Sequence, residues 1–340
     1  MRSYPGDAFV LALCAVASIG GEWQRVSTPD PSPHRVRFVS VAKEVRLEVL
    51  DWGGAGHPVV LLAGSGNTAH VFDEFAPKLT NCCRVYAVTR RGFGSSDHPS
   101  SGYDDQRLAD DIVEVLRALN IQRPVVAGHS MAGGELTTIG AQHSDLLAGL
   151  VYLDALGDPR DWPASDPAYR ELASKVPEAR RGPAPVETSS FSAYRASQLR
   201  TEHFTFPESE LRQMFEANDD GTVGRYKASD DRVRDAIGMG QKRRDYSKIK
   251  VPVLAMFEYP RPGSGARPAG TTLPPSDEER AARDAFSRAT AAYVDRWVKN
   301  LQTAPVRPRI VDLPGAGHFV FLTREAEVLN EMRTFVASIR

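Results

Sequence analysis

The chain has 340 residues, 41% of them hydrophobic and 25% charged, which is enough apolar material for a large core and too much for a disordered chain. Its 42 basic and 43 acidic residues leave a net charge of −1, so nothing draws it electrostatically to nucleic acid or to an anionic membrane, and a small-molecule substrate is expected. No repeat at solenoid or propeller spacing and no closely spaced set of His and Cys ligands is visible, so neither a metal nor an organic cofactor is expected.

From the N-terminus, Arg2 precedes an apolar run from Ala8 to Ile19 that is shorter than the ~20 residues needed to span a bilayer, and stable membrane insertion is not expected. The run fits a signal peptide over residues 1–19, with Ala15-Val16-Ala17 as cleavage site and a secreted or periplasmic location; the alternative is an N-terminal arm on a cytoplasmic protein. Residues 20–34 are polar and Pro-rich and read as a linker.

Arg35 to Lys43 and Val45 to Trp52 alternate apolar and polar residues, as a pair of edge strands would. Pro58 to Ala63, Val85 to Thr89, Pro124 to Ala127, Leu150 to Leu153 and Val251 to Met256 are compact apolar runs of the kind buried on both faces of a parallel sheet. Cys82 and Cys83 are adjacent, which strains a mutual disulfide, and they read as small apolar residues entering a strand. Helical spacing predicts helices over Val71 to Leu79, Asp104 to Leu119, Met131 to His143, Asp277 to Leu301 and Arg324 to Ile339. The fold class is therefore α/β, a mostly parallel sheet flanked by helices, with a core over residues 35–155 and 251–340. Between Leu156 and Lys250 the alternation stops, and the length of that segment argues for an inserted helical cap over residues 156–250 rather than a loop.

Gly128-His129-Ser130-Met131-Ala132-Gly133 follows an apolar strand and opens a helix, the setting of a nucleophile elbow with Ser130 as nucleophile. The tight turn needs small flanking residues. Ala132 stands where the strict motif has glycine.

With this elbow, Thr89-Arg90-Arg91-Gly92-Phe93-Gly94-Ser95-Ser96-Asp97 and Leu313-Pro314-Gly315-Ala316-Gly317-His318-Phe319, the chain resembles the α/β-hydrolase family from Arg35 to Arg340. The resemblance implies His318 as the catalytic base, a role that suits an imidazole titrating near neutral pH. It also implies an oxyanion hole from the backbone N–H groups of Met131 and Ser65, the latter in Ala63-Gly64-Ser65-Gly66-Asn67, where Ala-Gly replaces the family's His-Gly. Asn67 has a side-chain amide that can be aimed at the pocket. The family takes its triad acid from the end of the sixth or the seventh strand. Asp154 is the sixth-strand candidate and the preferred one, as the buried carboxylate that orients the imidazole; Glu258 is the seventh-strand alternative. His129 reads as a packing residue, and His70 as an exposed histidine at a helix start.

The expected activity is that of a serine hydrolase working through an acyl-enzyme, most simply on a carboxylic ester of a small molecule. Aminopeptidase-, lactonase-, haloperoxidase- or C–C-bond-hydrolase-like chemistry would use the same residues, and a binding protein that kept the fold without turnover is the alternative outside enzymes.

Overall fold

The computed structural model describes residues 33–176, 187–227, 231–263 and 276–339, so the leader over 1–19 and nearly all of the segment read as linker lie outside the described residues. The chain opens with β1 (Arg35–Ala42) and β2 (Val45–Gly53), followed by β3 (His57–Leu62), β4 (Cys83–Val88), α1 (Asp105–Ala118), β5 (Val125–His129), α2 (Gly133–Gln142) and β6 (Gly149–Leu153). An insertion then carries α3 (Pro167–Lys175), α4 (Phe191–Glu202), α5 (Glu208–Met214), the short hairpin β7 (Phe215–Ala217) and β8 (Val223–Tyr226), and α6 (Asp231–Gly240). The core resumes with β9 (Val253–Phe257), α7 (Asp277–Leu301), β10 (Arg309–Asp312), α8 (Val320–Thr323) and α9 (Glu325–Ser338).

Eight strands form one sheet in the order β1-β2-β4-β3-β5-β6-β9-β10, antiparallel from β1 to β4 and parallel from there to β10. The expected α/β class, with an antiparallel pair at the edge of a mostly parallel sheet, is what the chain forms. Strand side chains alternate between two apolar layers: Leu254 and Met256 of β9 face one, with α8 and α9, while Val253, Ala255 and Phe257 face the other, with α1, α2 and the end of α7. Burial on both faces explains the continuous apolar runs. Asp104 caps α1 by accepting from the N–H groups of Gln106 and Arg107, and Ser276 with Glu279 forms a capping box on α7, so both helices begin where their sequence says they should.

Three local expectations change. Val71 to Leu79 is not one α-helix but two 3₁₀ turns, Ala69–Phe72 and Ala76–Leu79, because Pro77 has no N–H to continue a helical ladder. The helix expected from Met131 starts at Gly133, after a single 3₁₀ turn over Ser130–Ala132. His34, assigned to the linker, has its side chain sealed in the fold against Trp52, His70 and Asp73. Among the described residues no helix is long and apolar enough to cross a membrane.

Candidate active site

The C-terminal ends of the parallel strands converge on one mouth, where the sheet's order places β5 between β3 and β6. Ser130 leaves β5 with φ 53°, a left-handed conformation that lifts its side chain out of the strand-to-helix turn. The turn closes so tightly that a Cβ on Gly128 would lie 2.8 Å from the Cβ of Ala132 and 3.0 Å from Leu136, so position 128 must be glycine. Ala132 itself has φ −59°, an ordinary helical value, which is why the motif's second glycine is dispensable here.

His318 sits in the loop after β10, 2.9 Å from the hydroxyl of Ser130 through Nε2 and 2.6 Å from Asp154 Oδ2 through Nδ1. The structure therefore brings Ser130, His318 and Asp154 into one hydrogen-bonded chain, although they lie on three separate elements. Asp154, just past β6, also has a positive φ, 46°, and its N–H is fixed to the carbonyl of Met256 at 2.8 Å. It is not the buried carboxylate the sequence argument required: the side chains of Asp154 and His318 are 31% and 51% exposed, so water reaches this end of the chain.

Glu258, the alternative acid at the end of β9, does not face the imidazole. Its two oxygens accept from the backbone N–H groups of Gly315 and Gly317, at 3.0 and 2.7 Å, and so shape the loop that presents His318. Thr323 binds the carbonyl of Ala316 at 2.6 Å, and Arg324 binds that of Pro314. His129 completes the mounting: its ring packs 4.6 Å from that of His318, and Nε2 donates to the His318 carbonyl at 3.0 Å. Burial, then the nearby His318, hold His129 neutral, well below the usual imidazole range.

Ser65 lies in the loop after β3, and this loop passes close to the elbow. A Cβ on Gly64 would meet Ser130 Cβ at 3.2 Å and His129 Nδ1 at 2.7 Å. Met131 follows Ser130 at the start of the 3₁₀ turn that leads into α2. Arg90 donates to the Ala63 carbonyl at 2.9 Å and pairs with the buried Glu135 of α2, which ties the Ser65 loop to the nucleophile's own helix. Asn67 does not point into the site; it is buried and donates to Glu210 of α5 at 2.8 Å. Arg90 lies inside a motif legible in the sequence, but neither Glu135 nor Glu210 has a local signal, since each reads as one more charge on an amphipathic helix.

His70 is buried rather than exposed, against Asp73 at 3.1 Å and Glu48 at 3.6 Å, with His34 Nδ1 on the other Asp73 oxygen at 2.7 Å. Ligand atoms of His34, His70 and Asp73 lie within 4.8 Å of one another, a spacing open to a metal. Their own hydrogen bonds, however, account for the cluster. Burial alone would lower His70, but its bonds to Asp73 and Glu48 outweigh it and raise the imidazole to about 10, so within this hydrogen-bonded cluster the ring carries its proton at neutral pH. Folded His70 then keeps its proton from the unfolded value near 6.5 up to about 10. Its stabilisation is present in full below that window and is lost as pH rises through it. The urea midpoint of the wild type is expected to fall more steeply across this range than that of His70→Gln, and parallel curves would contradict the assignment.

The sequence profile of the Alpha/beta hydrolase family matches residues 59–331, well over half of the chain. A 2-(acetamidomethylene)succinate hydrolase from Mesorhizobium japonicum is 31% identical over 101 residues, 30% of this chain and 36% of that protein. A 2-hydroxymuconate semialdehyde hydrolase from Pseudomonas sp. is 29% identical over 136 residues, 39% of this chain and 47% of the relative. The chain thus matches less than half the length of each. Among solved structures, that of E-2-(acetamidomethylene)succinate hydrolase superposes with a TM-score of 0.58 at 20% identity, over 90% of this chain and 100% of that one, a likeness of fold.

Proposed function

The chain belongs to the alpha/beta hydrolase family, and from that premise we propose that it is a serine hydrolase that works through an acyl-enzyme, with carboxylic esters of small molecules as its substrate class. The observation that carries the reading is the continuous chain from Ser130 Oγ to His318 Nε2 at 2.9 Å and from His318 Nδ1 to Asp154 at 2.6 Å. Ser130 attacks the carbonyl carbon while His318 takes its proton; Asp154 fixes the tautomer that leaves Nε2 free to accept it. Charge gathers on the carbonyl oxygen, and the N–H groups of Met131 and Ser65 receive it, beside the start of the helix that follows the elbow. His318 returns the proton to the departing alcohol, and water, activated in the same way, releases the acid. No step calls for a metal or an organic cofactor.

The matched relatives are named for two different hydrolytic substrates, and neither name transfers over so partial a match. An ester asks least of this site. Its leaving oxygen needs one proton, available from a histidine that solvent already reaches. The first test is covalent: a fluorophosphonate probe is expected to label the native protein, with peptide mass spectrometry placing the adduct on Ser130. A panel of p-nitrophenyl esters, lactones and aminoacyl anilides then ranks the bond types. An unlabelled protein that turns over none of them overturns the reading in favour of a non-catalytic binding protein.

A further inference from the structure

The loop that carries Ser65 is pinned at both ends by buried charged side chains. Arg90 holds its start, through the carbonyl of Ala63. Its end is held from the insertion: Glu210, in the first turn of α5 and 0% exposed, accepts from Asn67 Nδ2 at 2.8 Å, from the Thr68 N–H at 3.1 Å and from the Thr68 hydroxyl at 2.5 Å. Its chain neighbours add to the docking, with Ser209 donating to Asp73 at 2.5 Å and Leu211 fully buried.

A carboxylate sealed in protein is expensive unless its oxygens are satisfied. Burial lifts Glu210 to about 7 in spite of its three donors and the nearby charge of His70. An apolar residue would anchor α5 at lower cost, since Leu211 beside it already does so. What a carboxylate adds is direction: two consecutive residues, Asn67 and Thr68, are held at fixed angles, and they stand two and three residues after Ser65. Direction is what an oxyanion donor requires, because its worth falls steeply once it is misplaced by more than about 0.5 Å.

We propose that Glu210 is a positioning residue for the reaction, which aims the Ser65 N–H at the oxyanion by fixing the Asn67-Thr68 end of its loop from the insertion. The inference rests on the reading of Ser130 as nucleophile. Loss of the clamp then acts on the transition state and not on substrate binding.

The test compares the wild type with Glu210→Leu, Asn67→Ala and the reciprocal pair Glu210→Gln/Asn67→Asp, all full-length. Each is assayed with p-nitrophenyl butyrate, with rates normalised to active sites titrated by a fluorophosphonate. Removing one oxyanion donor costs about 10²- to 10³-fold in kcat, so a misaimed donor in Glu210→Leu and Asn67→Ala should cost about tenfold or more, with KM within about threefold. Affinity for an alkyl boronic acid, whose tetrahedral adduct uses the same donors, should weaken in step with kcat, and the reciprocal pair should recover much of the loss. A purely structural clamp would instead lower the thermal melt and leave kcat per active site within twofold, which overturns the proposal. If Glu210→Leu does not fold, Asn67→Ala and the reciprocal pair decide by the same criteria. A wild type that neither labels nor turns over removes the serine-hydrolase reading itself, an outcome distinct from active variants with unchanged kcat.

Discussion

Ser130→Ala is expected to lower ester turnover on the order of 10⁴-fold or more and to abolish fluorophosphonate labelling, while the thermal melt stays that of the wild type. Alanine suits a φ of 53° no worse than serine does, and the side chain is only half-buried, so little besides the nucleophile is lost. The rate should not fall to that of water, because the oxyanion donors remain. Nucleophile and base act as one unit, so His318→Ala should match the loss, and the double variant should be little worse than either single one. Turnover retained within tenfold by Ser130→Ala would overturn the mechanism.

Asp154→Asn is expected to be nearly as damaging, on the order of 10⁴-fold in kcat, the figure for the same exchange in a serine protease. Asparagine is one of the few residues that tolerate a φ of 46° as aspartate does, so the backbone is undisturbed and the change is electronic. The new amide can donate to Nδ1, which selects the tautomer with its proton on Nε2, where the hydroxyl of Ser130 then finds no acceptor. Glu258→Gln should be mild, about tenfold at most, because one oxygen survives to accept from Gly315 or Gly317. Both are compared at equal folded fraction, by melts and active-site titration. A dead Glu258→Gln beside a near-normal Asp154→Asn would move the acid to the seventh strand of the sheet.

Much of the fold and the centre of the site could be read from the chain because the relevant signals are local. Val125 to Gly128 is an apolar strand running straight into a small-residue turn, and the glycines around His318 announce a loop. The long amphipathic stretch from Asp277 to Leu301 is legible to its last residue. What stayed hidden depends on residues far apart in sequence. Strand β10 escaped because Arg309-Ile310-Val311-Asp312 is two apolar residues between charges, placed at the sheet's edge where nothing demands a longer run. The hairpin β7–β8 has too few residues for a period to show. Phe72 and Phe75 stand three apart, a spacing that a 3₁₀ turn and an α-helix share, and Leu79 four further on fits the helix, so only Pro77 hinted at the difference. His34, Glu48, His70 and Asp73 meet from four sequence positions with no common spacing, and a polar residue in isolation reads as exposed. The same holds for Glu210, whose burial follows from where α5 lands.

Phe319, directly after His318, packs against Phe204 and Phe206 of the insertion at 5.1 and 5.0 Å and against His129 of the core at 4.9 Å. This aromatic junction makes the insertion a poor interchangeable module. A chimaera that replaces residues 156–250 with a segment from another family member would leave a void against the ring next to the histidine, whatever specificity it imported. Broadening the substrate range by recombination should therefore succeed only where the donor segment brings its own pair of rings to that spot. Divergence along this lineage is expected to proceed by point changes on the remaining faces of the insertion rather than by wholesale exchange.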